Sequence, residues 1–147
     1  MKIAIASDHA GFHLKEHVRQ ILDSWGIAYE DLGTRNTESV DYPDYARQVA
    51  KAVQKGDRGI LCCGTGIGMS IAANKFKGVR AAVCNDTFTA QMSREHNDAN
   101  VLILGGRILK DPQEVSAILK TWLETDFQGG RHQRRLSKIK EFEENQN

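Results

Sequence analysis

The chain lacks net charge: Lys and Arg total 20 against 19 Asp and Glu over 147 residues. Without an overall field, general attraction to nucleic acid or to an anionic membrane is excluded, and any preference for anions has to be local. Cysteines are few and odd in number, three in all, with two adjacent and none spaced as a CxxC or zinc-knuckle pair. That pattern points to free thiols in a reducing compartment rather than to disulfides or structural metal. Long apolar runs are also missing. Met1-Lys2-Ile3-Ala4-Ile5-Ala6 breaks at Ser7-Asp8-His9, too short for a signal peptide or a membrane span, so a cytoplasmic protein is expected. Only two prolines occur, with no Pro-rich linker, internal repeat or low-complexity tract. A chain of this length reads as one domain, residues 1–147, able to bury a core without covalent staples.

What is present is an alternation. Apolar, β-branched runs predict strands near Lys2–Ala6, Ala28–Asp31, Gly59–Cys63, Arg80–Val83 and Asn100–Leu104. Helical patterns lie between them near Gly11–Ser24, Pro43–Lys55, Gly68–Phe76 and Thr87–Glu95, followed by Pro112–Glu124. In the first helix Phe12, Leu14, Val18, Ile21 and Leu22 recur at three- and four-residue spacing, as one buried face requires. Alternating strands and helices imply an α/β fold, a Rossmann-like five-stranded parallel sheet with helices on both faces. Ligands of such sheets collect at the carboxyl ends of the strands, and the polar motifs are expected there. A basic helix of about 131–144 follows Gly129-Gly130, and the polar tail Glu141–Asn147 is expected to fray.

The most informative stretch is Ile60-Leu61-Cys62-Cys63-Gly64-Thr65-Gly66-Ile67-Gly68-Met69-Ser70. A strand, a glycine loop and a helix start aim bare backbone N–H groups at whatever lies above the loop, a cradle for an oxyanion or phosphate. The spacing is not the dinucleotide pattern: the third glycine arrives one residue early, and Asp86 after the next strand imitates a ribose-binding acid. Cys63 stands at the lip of the loop, where a thiolate would be stabilised. Cys62 turns to the opposite face by strand alternation, and it and Cys84 read as inert buried thiols.

Other polar groups punctuate the strand ends. Asp8 and His9 follow the first strand, and Asp8 reads equally well as a helix cap. Asp41 and Tyr42 precede Pro43, ordinary helix-start chemistry by itself. His96, flanked by Asn97 and Asn100, is the leading acid–base candidate because histidine titrates near neutrality. Arg107 follows Gly105-Gly106. Arg131 and Arg135 share one face of the last helix, an arrangement that suits a phosphate dianion.

In this order the motifs resemble the type B ribose-5-phosphate isomerases and the related galactose-6-phosphate isomerase subunits. The matching pieces are Ser7-Asp8-His9-Ala10-Gly11-Phe12, Asp41-Tyr42-Pro43, Cys63-Gly64-Thr65-Gly66-Ile67-Gly68, Ala72-Ala73-Asn74-Lys75, Ser93-Arg94-Glu95-His96-Asn97-Asp98-Ala99-Asn100 and Gly129-Gly130-Arg131-His132, from residue 3 to about 140. The resemblance implies a homodimer or tetramer with active sites between subunits, the C-terminal helix resting on a partner. It implies that Cys63 is the base moving a proton between C2 and C1, and that Thr65 with Gly64, Gly66, Ile67 and Gly68 holds substrate oxygens and the enediolate. His96 would open the furanose ring, with Asn97 beside the reacting carbons. Asp8 and His9 would bind substrate, Asp41 and Tyr42 would line the pocket, and Arg107, Arg131 and Arg135 would take phosphate and sugar oxygens. One branch of the family carries a glutamate base where this chain has Met69. Cys62 departs from the aliphatic residue expected beside it.

Aldose–ketose interconversion removes a weakly acidic proton beside a carbonyl, so charge grows on oxygen where fixed N–H dipoles can meet it. No cofactor or metal is expected, since no cluster has ligand spacing. Two alternatives share many of these features: an isomerase of a six-carbon phosphosugar (allose 6-phosphate or galactose 6-phosphate) and a non-catalytic phosphosugar-binding module. The first differs in pocket length, the second in having no use for a thiol base or a ring-opening histidine.

Overall fold

A computed structural model describes residues 2–146; Met1 and Asn147, the outer ends of the expected first run and tail, lie outside the described residues. Strands β1 (Ile3–Ser7), β2 (Tyr29–Asp31), β3 (Arg58–Cys63), β4 (Ala81–Val83) and β5 (Val101–Gly105) alternate with helices α1 (Phe12–Ser24), α2 (Tyr42–Gln54), α3 (Ile67–Ala73) and α4 (Thr87–Glu95). Helices α5 (Pro112–Glu124) and α6 (Arg131–Glu144) complete the chain. All four strand pairings are parallel, in the order β2-β1-β3-β5-β4.

Alternation along the strands explains the two-sided core. Ile3 and Ile5 of β1, Ile60 and Cys62 of β3, and Leu102 and Leu104 of β5 face one side, where α1 and α5 bring Leu14, Val18, Leu22, Ile118 and Trp122. Ala4, Ala6, Leu61, Cys63, Val101 and Ile103 face the other, covered by Val49, Ala50 and Val53 of α2 and Met69 and Ala73 of α3. Cys62 and Cys63 therefore point to opposite layers, as their adjacency predicts. Small residues on the α2 side let that helix lie close. Burying these apolar surfaces is the main favourable term, roughly 25 cal/mol per Å² removed from water.

The chain leaves β1 toward β2 on one side and returns to β3 on the other, so strand order reverses between β1 and β3. Crevices at such a reversal, at the carboxyl ends of the strands, are where open parallel sheets hold ligands. Ser7 stands beside Cys62 in register, which puts Asp8 and Cys63 side by side at that point. Gly11 allows it, since a Cβ there would overlap the Cys62 carbonyl.

Most boundaries fall within one residue of expectation, and the end of α3 does not. Helix α3 stops at Ala73, not Phe76, because the Asn74 side chain pairs with the backbone of Ala81, donating to its carbonyl at 2.9 Å and accepting its N–H at 2.8 Å. The acidic end of α6 is not frayed through its length: helix persists to Glu144, and the Glu143 carboxylate accepts the Gly78 N–H at 2.7 Å. Among the described residues, no helix is long and apolar enough to cross a membrane.

Candidate active site

Asp8 and Cys63 form the centre of the crevice. The Asp8 carboxylate is buried; Oδ1 accepts the Gly11 N–H at 2.9 Å, and Oδ2 accepts the Cys63 thiol at 3.5 Å. Asp8 thus spends one oxygen on the backbone just before α1, whose N-cap residue is Gly11 rather than Asp8, and the other on the Cys63 thiol. Cys63 is 8% exposed, enough to touch a bound molecule from within the loop. Gly66 makes the turn at φ 88°, a backbone region that disfavours any side chain, and starts α3. The Gly66 and Gly64 N–H groups favour the thiolate, as anticipated, but burial and the neighbouring Asp8 charge outweigh them, and the Cys63 thiol titrates above its ordinary value. This corrects the expectation of a thiol depressed by the loop. In the free chain the sulfur is a hydrogen-bond donor.

The surroundings of this pair contain most of the other candidates. Thr65 is exposed, and its hydroxyl oxygen accepts the Ile67 N–H at 3.3 Å, leaving its own proton to donate. The Tyr42 ring lies on Gly68, where a Cβ would come within 2.7 Å of the ring carbon bearing the hydroxyl. Asp41 precedes α2 without capping it, so its exposed carboxylate is uncommitted within the chain. His9 Nδ1 accepts the Val40 N–H at 3.1 Å. Arg107 folds its guanidinium over Gly64, and the backbone N–H groups of Gly106 and Arg107 bond the carbonyls of Cys63 and Gly64 at 2.7 and 2.8 Å. Met69 is wholly buried beneath the loop, in the α2–α3 layer.

His96 and Asn97 lie elsewhere. Helix α4 descends from the carboxyl end of β4, so its last residues reach the amino end of the sheet. His96 ends it, and Asn97–Asn100 lead straight into β5. Val101 is level with Gly59 and Gly105 with Cys63, so His96 and Cys63 are separated by at least the length of β5, about 13 Å at about 3.3 Å per residue. The expectation that the polar motifs all gather at the carboxyl ends is therefore wrong for these two, and for Arg131 and Arg135, whose helix start lies against His96. The physical reason is connectivity: a helix after a parallel strand must return the chain to the starting edge.

A second cluster forms there. The His96 ring stacks on His132 of α6, centroids 4.2 Å apart and planes at 14°. The Gln128 N–H donates to the Glu95 carbonyl at 3.1 Å. Arg131 and Arg135 are exposed on the same first turns of α6. His132 is buried with Nε2 unpartnered; burial, His96 and the two arginines all push its pKa down. Asn97 is exposed, whereas Asn100 is structural, its side chain accepting the Arg80 N–H at 2.7 Å and donating to the Gly78 carbonyl at 2.8 Å. The candidates thus fall into two separate clusters of one chain: Asp8, His9, Asp41, Tyr42, the glycine loop and Arg107 in one, His96, Asn97, Arg131 and Arg135 in the other.

The ribose/galactose isomerase family model matches residues 3–139. The chain belongs to that family. Ribose-5-phosphate isomerase B of Escherichia coli is 48% identical over 99% of both chains. Among solved structures, ribose-5-phosphate isomerase B of Clostridium thermocellum superposes with a TM-score of 0.95, at 53% identity and 98% coverage of both chains. That of Mycoplasma genitalium, with bound ribulose-5-phosphate, superposes at 0.94, with 43% identity, covering 99% of this chain and 97% of its own.

Nothing in the sequence singled out His132 as a neighbour of His96. It sits in the matched Gly129-Gly130-Arg131-His132 run, but only the fold shows that it contacts His96. Among the described residues, no three His, Cys, Asp or Glu side chains group as metal ligands. Asp86 is spent as a cap, its carboxylate accepting the Thr89 N–H at 2.7 Å.

Proposed function

We propose that this chain interconverts D-ribose 5-phosphate and D-ribulose 5-phosphate through an enediolate, without a metal, in active sites assembled from two copies. The observation that carries the reading is the Cys63 thiol against the Asp8 carboxylate at the strand-order reversal, with loop N–H groups around it.

In this mechanism Cys63, once ionised, takes the proton from C2 of the ring-opened aldose. The C–H electron pair becomes the C1=C2 bond, and the carbonyl pair moves onto O1. The O2 hydroxyl proton passes to O1, and returning the carbon-bound proton to C1 as O2 becomes the carbonyl gives the ketose. A buried thiolate beside a carboxylate is scarce but strongly basic, which suits a weakly acidic C–H bond. The N–H groups of the Gly64–Gly68 loop and the Thr65 hydroxyl meet the charge on oxygen, worth roughly 3 kcal/mol per well-placed donor. Asp41 and Tyr42 wall the pocket.

The division into two clusters supports contribution of His96, Asn97, Arg131 and Arg135 from a partner copy. His96 would shuttle the proton between the O1 hydroxyl and the ring oxygen, and the arginines with Arg107 would hold the phosphate. Helix α6 supports the same arrangement. It buries only His132, leaves Ile139 and Phe142 exposed at 51% and 65%, and stands off the sheet across a groove of about 1040 Å³. A dimer or tetramer would cover that face.

The test is ribose 5-phosphate turnover with EDTA present, for wild type and Cys63→Ala. Turnover by the wild type and near-complete loss in the variant, with phosphosugar binding within a few-fold, is the expected result. A wild type that binds phosphosugar but turns over only a six-carbon phosphate overturns the substrate; one that turns over neither is a binding module.

A further inference from the structure

Lys15 is a wholly buried cation that the proposed reaction does not use. Its ammonium donates to both oxygens of Asp31, at 2.8 and 2.9 Å, and to the Thr34 carbonyl at 2.7 Å. Asp31 also accepts the Gly33 N–H at 2.9 Å and meets Arg19 and Arg35 at 3.3 and 3.1 Å. The segment clamped in this way is bound to the end of β1. Ser7 donates to the Gly33 carbonyl at 2.7 Å, and Thr34 donates to the Ser7 carbonyl at 3.0 Å. Ser7 is the residue before Asp8. After the clamp, residues 35–39 are exposed, and the segment returns to the site at Val40, whose N–H points at His9 Nδ1.

A ring nitrogen that accepts a backbone N–H carries no proton, so neutral His9 bears its hydrogen on Nε2. A buried ion pair adds little net stability over apolar residues of the same volume, but it permits few arrangements of the chain around it. From these contacts we infer that Lys15 is a positioning residue. Through Asp31 and Thr34 it holds the β2–α2 segment so that Val40 locks His9 as the Nε2–H tautomer, an N–H donor for an oxygen of the ligand. The consequence for substrate rests on the phosphosugar reading of the site; the tautomer does not.

The experiment is long-range ¹H–¹⁵N correlation of the histidine rings in the full chain, with His9 assigned by its loss in His9→Asn. The wild type is expected to show a single Nε2–H pattern for His9. Lys15→Met combined with Asp31→Leu removes both charges together, so that neither is stranded in the interior, and is expected to give mixed tautomers. Val40→Pro, which removes the donor without touching Lys15 or Asp31 but also restricts the local backbone, should do the same. If the double variant does not fold, Asp31→Asn takes its place with the same expectation. A wild-type Nδ1–H pattern or mixture, or a double variant that keeps the wild-type pattern, overturns the inference. In turnover, the double variant should raise KM for ribose 5-phosphate in proportion to the lost Nε2–H population, about twofold for an even mixture, with kcat held within the same factor. Absence of wild-type turnover with the tautomer pattern intact would reject the isomerase reading and leave the positioning role standing.

Discussion

The Cys63 thiol donates to Asp8 Oδ2 at 3.5 Å while the other oxygen of the same carboxylate accepts the Gly11 N–H. One buried acid therefore fixes the start of α1 and orients the sulfur. It also makes the thiolate costlier to form, because a like charge stands beside it.

Replacing Asp8 by Asn keeps an acceptor for Gly11 and removes that charge. The Cys63 titration should then move to lower pH, and turnover should fall because the ionised sulfur is a weaker base and the ligand contact changes. Thiolate absorbance against pH, in a background with Cys62→Ala and Cys84→Ala, measures the shift. An unmoved midpoint would mean that burial and the loop N–H groups set the thiol without Asp8.

Cys63→Ala and His96→Ala should each lose about 10³-fold in turnover, within the usual range for removing an acid–base group. Mixed after dissociation and reassembly, they should regain about a quarter of wild-type activity. Half of the dimers pair unlike chains, and each of these has one intact site of two. A mixture as inactive as its components would place both residues of each site in one chain.

Arg135→Ala is expected to act on affinity. With one guanidinium withdrawn from the phosphate, KM should rise about 10- to 100-fold with a smaller change in kcat. Steady-state kinetics decides it, and an unchanged KM would remove Arg135 from the phosphate site.

Acid should loosen the β2–α2 segment first. Burial raises the Asp31 pKa, but Lys15, the Gly33 N–H and Arg35 outweigh it, and the net shift is downward. A carboxyl lowered in the folded state contributes stability above its unfolded pKa and loses it as pH falls through the folded value. Amide exchange of Gly33 and Thr34 should therefore stay slow through mild acid and accelerate only below pH about 4, the ordinary aspartate value. Asp31→Asn should exchange faster already at neutral pH; identical profiles for the two proteins would count against the clamp.

Much of this was legible from the residues in order. Apolar, β-branched runs located the strands of the described residues and the patterns between them the helices, because strands buried on both faces of a parallel sheet read as continuous apolar runs. The neighbouring Cys62 and Cys63 read correctly as facing opposite layers, and the glycine loop with Asp8 and Cys63 fell at the strand ends. Lys15 gave no such signal: a lysine inside an amphipathic helix looks solvated until its partner, 16 residues on, is seen across the layer.

The sequence by itself determined the α/β alternation, the family motifs and the chemistry available to each side chain, since these follow from local pattern and residue type. The tertiary structure decided which groups can act together. It joined Asp8 to Cys63 across 55 residues and His96 to His132 across the α5 excursion. It also set His96 and Cys63 at opposite ends of the sheet. Spacing along a chain does not encode which edge a returning helix reaches; the packing of strands and helices around one core does.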